Sequence, residues 1–330
     1  MNQNIKNNLQ NKQTYPEGPL VSIVVITYNS VKYVIETLES IKNQTYKNIE
    51  LIISDDSSTD NTLEVCRIWL ENNRSHFVSV KLLNCHTNTG MAPNCNRGVR
   101  ATNGTWIKLI AGDDYLHKDA IRSILDTIDK YPEAKIIIGK TRIFNHNVKE
   151  KIKETMVCHN NLTIRAQQRL ILRKHIPTRI VSAFIRKDVF TVNGFFDESF
   201  PFFEDYPFFL KNVLSGNKIY YSQEVISYYR ISQDSIGGQK KYFIQPNYFT
   251  SRSGFTREIH LKLLRDRRMY FWYFVSWLDN YYRETIYRRG NTKRESRKIG
   301  MLIISSFSHL LKKISLSFDN FIIYCYEKLA

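Results

Sequence analysis

At 330 residues, with 42% hydrophobic and 24% charged side chains, the chain can bury a sizeable core and is too apolar for a disordered protein. No run reaches the roughly 18 uninterrupted apolar residues of a membrane-crossing helix, and five scattered cysteines, never spaced C-x-x-C, speak against a disulfide framework or a zinc site. The net charge of +17 favours phosphate-rich partners without choosing among nucleic acid, an anionic membrane face and a phosphorylated substrate.

The first 18 residues, rich in Asn, Gln and Lys, read as a polar tail without the apolar core of a signal peptide, which suggests a cytoplasmic protein. Residues 20–26 are an apolar run suited to a strand buried on both faces. Val34, Leu38 and Ile41 then recur at helical spacing and predict a helix over 32–43. A second strand is expected over 50–54. Thr59 and Asp60 can cap a following helix that buries Leu63, Cys66 and Leu70. Strands over 78–83 and 105–110, a helix burying Ile121, Leu125 and Ile128, and a strand over 135–139 complete an alternating pattern. Beyond residue 140 the alternation weakens. A basic helix is expected over 165–174 and a strand over 224–231, and helical patterns dominate from about 255 onward.

This pattern predicts an α/β fold with a mostly parallel sheet flanked by helices, whose ligands lie beyond the carboxyl ends of the strands. Thr27-Tyr28-Asn29, Asp55-Asp56 and Asp113-Asp114 end three of these strands and are expected on one edge. One Asp-Asp pair is an ordinary solvated turn. Two at a single edge repel unless something cationic compensates, and Mn²⁺ or Mg²⁺, which take few carboxylates and complete their shell with phosphate and water, fit that need. A dinucleotide-dependent oxidoreductase would need a Gly-rich turn after the first strand, and Thr27-Tyr28-Asn29-Ser30 supplies none.

The run 21–29, the block 53–60, the spacing Asn88-x-Gly90-x5-Asn96-x-Gly98 and the segment 104–114 together resemble family 2 glycosyltransferases of GT-A fold, over roughly residues 20–235. The resemblance implies that Thr27, Tyr28, Asn29 and Asp55 line a nucleotide pocket and that Asp56 accepts a hydrogen bond from the base. It places Asn88, Gly90 and Asn96 in the same nucleotide-sugar site, and implies that Asp113 and Asp114 hold ribose and a diphosphate-bound metal. Two positions depart from the pattern. Ala111 stands where the first acid of D-x-D is usual, and Cys95 stands where an Arg often precedes Asn96, which leaves Arg97 or Lys108 to supply a phosphate contact.

Within Phe202-Phe203-Glu204-Asp205-Tyr206, aromatic flanks can raise a carboxyl pKa toward general-base work, or the acids can simply favour a helix start. The resemblance makes Asp205 the catalytic base. It also gives Arg230 a phosphate contact, with a structural ion pair as the alternative, and places Ser232 where a His is common and Ser235 in a loop over the diphosphate.

The implied domains are a tail over 1–18, a catalytic domain over 19–240 (nucleotide half 19–140, acceptor half 141–240) and a basic, aromatic helical region over 241–330. Residues 251–330 carry 16 Lys and Arg against 7 Asp and Glu. Arg265, Arg267 and Arg268 precede the aromatic run 269–274, and Arg283, Arg288 and Arg289 follow it. Such a region suits peripheral contact with the inner face of a plasma membrane, or a cap packed on the catalytic domain. The implied activity is inverting transfer from a UDP-sugar donor to a hydroxyl of a saccharide or lipid-linked saccharide acceptor, with no nucleic acid partner. The alternative is a non-catalytic nucleotide-sugar or nucleic-acid binding protein.

Overall fold

A computed structural model describes residues 18–144, 153–155, 158, 160–176, 179–231 and 245–288. The N-terminal tail to residue 17, the apolar run 301–311, Ser232, Ser235 and Arg289 lie outside the described residues.

Strands β1 (Val21–Thr27), β2 (Ile49–Asp55), β3 (Ser79–Asn84) and β4 (Trp106–Ala111) pair in parallel in the order β3-β2-β1-β4. Their apolar runs follow from burial on both faces. On β1, Val21, Ile23 and Val25 pack with Val34, Leu38 and Ile41 of helix α1 (Val34–Lys42) and with Cys66 and Leu70 of α2 (Thr62–Asn73). Val24 points the other way, toward Ala92, Cys95 and Val99 of α3 (Met91–Arg100). This period of two fixes the strand register, because a one-residue slip would turn every core residue to the wrong face. In the resulting register Thr27 lies opposite Asp55, and Ile26 opposite Ala111. The three polar strand ends therefore share one edge, as the sequence pattern predicts.

Beyond β4 the sheet continues through β8 (Ala183–Arg186), β6 (Ile136–Phe144), β9 (Ile219–Arg230) and β5 (Tyr115–Leu116). β8 runs antiparallel to β4 and β6, β5 runs antiparallel to β9, and β6 and β9 are parallel. The short β7 (Lys153–Glu154) pairs with β6, giving nine strands among the described residues. Helix α4 (Ala120–Lys130) covers the α1 side, with Ile121 and Ile124 buried. Helices α5 (Ile164–Leu172), α6 (Lys187–Asn193) and α7 (Asp205–Leu214) complete the sheet-centred part.

Helix α3 and strand β8 go beyond the expected elements. The α3 sequence, MAPNCNRGVR, is poor in helix formers. Three features let it form. Gly90 caps its start at φ +98, Pro93 falls in the first turn where no intrahelical donor is needed, and Gly98 lets the helix approach β1 closely. A Cβ at Gly98 would lie 2.3 Å from Val24 Cγ1.

The C-terminal region begins with α8 (Pro246–Phe255), passes through a π-helical turn (Thr256–His260) and α9 (Leu261–Asp266), and ends in α10 (Tyr270–Arg288). Arg252 pairs with Asp279 at 3.0 Å and Arg257 with Glu284 at 2.7 Å, locking α8 and the π-turn to α10. Phe255 packs edge-on against Phe200 and Tyr206, and Phe202 N–H donates to Ser251 Oγ at 3.3 Å. Tyr206 Oη lies 3.0 Å from His260 Nδ1, and His260 Nε2 lies 3.4 Å from Ser276 Oγ of α10. The C-terminal helices thus pack as a cap on the sheet-centred part, one of the two arrangements the sequence left open. Replacing Gly98 with Ala should lower stability by about 1–3 kcal/mol through overpacking against Val24, read as a reduced midpoint in urea unfolding.

Candidate active site

Asp55 and Asp56 end β2 but differ in their surroundings. Both Asp55 oxygens are taken by neighbours: Thr27 Oγ1 donates at 2.7 Å, and Ser58 donates through its N–H at 2.8 Å and its hydroxyl at 2.6 Å. Asp55 therefore shapes the turn that follows it, where Ser57 adopts φ +64. Asn29, itself at φ +50, accepts from Thr59 N–H at 2.8 Å and latches the end of β1 to that turn. The Tyr28 ring beside it is 48% exposed.

Asp56 is buried and accepts from Thr89 N–H (3.0 Å), Thr89 Oγ1 (2.6 Å), Gly90 N–H (2.8 Å), Arg97 Nη2 (3.1 Å) and Cys85 Sγ (3.3 Å). Burial alone would raise its pKa, but these donors outweigh it and hold the carboxyl below its usual value. Arg97 also donates to Asp55 O and Asn94 Oδ1, so its guanidinium is occupied within the protein. Gly90 contributes through its backbone, since a Cβ there would meet Pro201 Cβ at 2.9 Å. Asn88 is exposed on the loop before α3. Asn96 stands apart from this group. Its amide donates to Phe196 O (2.9 Å) and Glu198 Oε1 (2.7 Å) and its oxygen accepts from Phe196 N–H (3.0 Å), so it struts the segment leading to Asp205.

At the end of β4 the second acid pair is held by Arg230 of β9. Arg230 donates its backbone N–H to Asp114 Oδ1 at 2.8 Å and Nε to Asp113 O at 2.8 Å, while its guanidinium pairs with Glu36 of α1. The rings of Tyr33 and Phe144 lie 4.3 and 4.7 Å from its Cζ. The structural ion pair is the arrangement found, and it involves Glu36, which the sequence did not single out. Thr37 Oγ1 donates to Asp114 O at 2.6 Å. Neither Asp113 nor Asp114 forms a side-chain ion pair among the described residues. Burial raises both pKa values, and their mutual repulsion pushes Asp114 higher still. Adjacent buried carboxyls without a bound side-chain cation fit a divalent ion, which would restore their ionised form. No cluster of three or more His, Cys, Asp or Glu suited to a metal occurs among the described residues.

Asp205 opens α7, where the helix N-terminus favours an anion. Its Oδ2 accepts from Ile180 N–H at 3.4 Å, and Oδ1 has no hydrogen-bond partner. Burial raises Asp205 to about 6, against lowering by a hydrogen bond from Glu204 and by the charges of Arg179 and Lys108. Glu204 is pushed well above its usual value by burial and by the neighbouring Asp205. Lys108 lies inside the sheet with Nζ donating to Leu109 O (2.7 Å), Ile180 O (3.3 Å) and Val181 O, and burial brings it down to about 7. All three of its donors are occupied, so it orders the turn that holds Asp205 and is not free for a phosphate. Arg179, by contrast, is exposed, with its Cζ 5.8 Å from the Tyr229 ring. Tyr229 in turn precedes Arg230, which holds the acid pair.

The structure thus gathers Thr27, Tyr28, Asn29, Asp55, Asp56 and Gly90 around the ends of β1 and β2, and Asp113, Asp114 and Arg230 around the end of β4. Residues 22–192, just over half the chain, match the family model described as glycosyl transferase family 2. The chain belongs to this family. Within it, glycosyltransferase GlyG of Streptococcus pneumoniae is 35% identical over 36% of this chain and 38% of its own length. The chondroitin synthase of Escherichia coli is 32% identical over 44% of this chain and 23% of its own length. The chain therefore spans well under half of these relatives. The fold agrees with Staphylococcus aureus TarS 1–349 in complex with UDP-GlcNAc (TM-score 0.56, 21% identity, 73% of this chain and 66% of that one). It agrees also with the mannosyltransferase PcManGT from Pyrobaculum calidifontis in complex with GDP-Man and Mn²⁺ (TM-score 0.52, 15% identity, 97% and 80%).

Substituting Arg230 with Ala should cost about 2–4 kcal/mol, because Glu36 loses its partner and the acid-pair turn loses a donor. Chemical denaturation checks this, with Arg230→Lys expected to recover only part of the loss because Lys lacks the planar fork.

Proposed function

We propose that the chain is an inverting, metal-dependent glycosyltransferase that moves a sugar from a UDP-sugar to a hydroxyl of a saccharide acceptor, free or lipid-linked, in surface polysaccharide or lipid-linked oligosaccharide synthesis. The observation that carries this reading is the raised, partly unsatisfied carboxyl of Asp205 in the same molecule as the buried Asp113–Asp114 turn. The former suits a proton acceptor and the latter a diphosphate-bound cation. The relatives' names give the saccharide setting, and TarS crystallised with UDP-GlcNAc supports the donor class.

On this reading Thr27, Tyr28 and Asn29 wall the nucleotide pocket, with the exposed Tyr28 ring offering a face for the base. Asp56 accepts the base N–H by exchanging the Cys85 thiol, a weak donor, for the stronger one. Asp55, Asn88 and Gly90 hold the loops of the pocket, and Asn96 ties it to the acceptor segment. Asp113 and Asp114 would hold Mn²⁺ or Mg²⁺, which supplies positive charge beside the diphosphate.

Asp205 Oδ1 takes the proton of the acceptor hydroxyl as that oxygen bonds to the anomeric carbon. The bond from that carbon to the diphosphate oxygen breaks on the opposite face, and UDP departs with the electron pair. One displacement inverts the anomeric configuration. Lys108 and the Nε and Nη2 groups of Arg97 donate to protein acceptors, which leaves the exposed Arg179, together with the unpartnered Nη1 of Arg230, to meet the departing diphosphate. A charge-assisted bond of this kind contributes about 1.5–3 kcal/mol.

A screen of UDP-sugars for Mn²⁺-dependent hydrolysis and transfer tests the activity. Asp205→Asn should fold normally and lose about 10²–10⁴-fold in transfer rate; a variant with full activity would remove Asp205 from its role. Because the base must be ionised, the wild-type rate should fall as pH drops below about 6, and a flat profile through that range argues against this assignment. Arg179→Ala should weaken UDP binding by about ten-fold or more in calorimetry, with Arg179→Lys intermediate. Binding of UDP without any hydrolysis or transfer would instead describe a non-catalytic nucleotide-sugar binder.

A further inference from the structure

Helix α10 packs Val275, Trp272 and Tyr273 inward beside polar side chains, and still carries a row of rings outward. An ordinary surface helix turns its apolar stripe to the core and its charges to water. In α10 the inward face carries buried Val275 together with Ser276, Asp279 and Glu284, which bond to His260, Arg252, Arg257 and Ser253 of the preceding helices, while Asn280 donates to Glu284 within the helix. The outward face carries rings. Tyr270 (64% exposed), Phe274 (48%), Trp277 (43%) and Tyr281 (52%) repeat at intervals of four and three, with Phe271 (51%) beside them. Phe274 stacks on Trp277 at 6.0 Å and Trp277 on Tyr281 at 5.6 Å, so these three rings stack in series and Tyr270 extends the row one turn further. At 1.5 Å per residue it runs for roughly 16 Å.

Four exposed cations, Lys262, Arg265, Arg267 and Arg268, sit at the N-terminal end of this ladder. Arg265 lies 3.7 Å from Asp266, while Lys262, Arg267 and Arg268 form no ion pair among the described residues. An exposed contiguous apolar patch marks an interaction surface, and the adjoining charge selects its partner. A second copy would bring this basic cluster, on a chain of net charge +17, toward its own like charge. An anionic bilayer meets both features, since Trp and Tyr rings settle at headgroup depth and Arg and Lys pair with lipid phosphates.

We infer that the outer face of α10 is a membrane-docking surface, with the Tyr270–Phe274–Trp277–Tyr281 ladder lying in the interface of an anionic bilayer and Lys262, Arg267 and Arg268 on its headgroups. This deepens the proposed use of a lipid-linked acceptor, but the docking is measured without donor or acceptor. UDP-sugar hydrolysis by the same preparations reports on the catalytic reading separately.

The full-length chain is floated with phosphatidylcholine–phosphatidylglycerol vesicles and with pure phosphatidylcholine vesicles. It should bind the anionic vesicles, and binding should weaken as salt is raised. Phe274→Ser/Trp277→Ser/Tyr281→Ser and, separately, Arg267→Glu/Arg268→Glu should each lower partitioning by about ten-fold or more while leaving UDP-sugar hydrolysis unchanged. Absence of binding to anionic vesicles overturns the inference. So does binding undiminished in the ring variant, which would place the contact in another segment such as residues 289–330. Self-association in sedimentation velocity that the ring substitutions abolish, without vesicle binding, would assign the face to a second copy instead.

Discussion

The buried guanidinium of Arg230 is the contact on which the arrangement of the site depends. It is 1% exposed and joins β9, late in the catalytic part, to α1 and to the turn after β4. Burying a cation in such a place is costly unless it is partnered, and here the partnering is incomplete, because Nη1 has no hydrogen-bond partner. Glu36 supplies the opposite charge, Asp113 O accepts a hydrogen bond, and Tyr33 and Phe144 present ring faces. Through this one side chain, residues nearly 200 positions apart fix the height and orientation of the acid pair. The acid pair itself forms no side-chain ion pair among the described residues, and it is held through the Arg230 backbone and Nε.

A similar division of labour occurs around Asp205. Lys108 is buried as deeply as the core, yet it serves no ligand. Its ammonium bonds to the carbonyls of the 180–181 turn, and that turn returns a backbone N–H to Asp205. Burial raises both Glu204 and Asp205, and their proximity couples them, so the two carboxyls bind and release protons as one unit.

Much of this was legible in the sequence because it depends on local pattern. The apolar runs ending in Thr27, Asp55 and Ala111 specify both the strands and their common edge, and the aromatic–acidic segment marks Asp205. What the pattern could not show depends on tertiary contact. Glu36 reads as an ordinary charged residue in an amphipathic helix, and only the fold brings Arg230 to it. Lys108 and Arg97 look like free cations in sequence, and their donors are occupied by carbonyls and by Asp56 in space. Asn96 falls within a nucleotide-binding spacing but bonds to Phe196 and Glu198. Helix α3 was hidden for a related reason: its low propensity is offset by a close approach to β1 that only Gly98 permits.

The chain of contacts from Tyr206 through His260 to Ser276 has a consequence for how the molecule would search for its acceptor. Burial keeps His260 well below its usual pKa, so the link is made by a neutral imidazole and does not loosen with modest acidification. Tyr206 directly follows Asp205, and Ser276 lies midway along α10. A continuous line of contacts therefore joins the outermost helix to the residue beside Asp205. A planar surface that holds α10 flat also sets the bearing of Asp205 relative to that plane, which reduces a three-dimensional tumbling encounter to diffusion in two dimensions with one remaining angle.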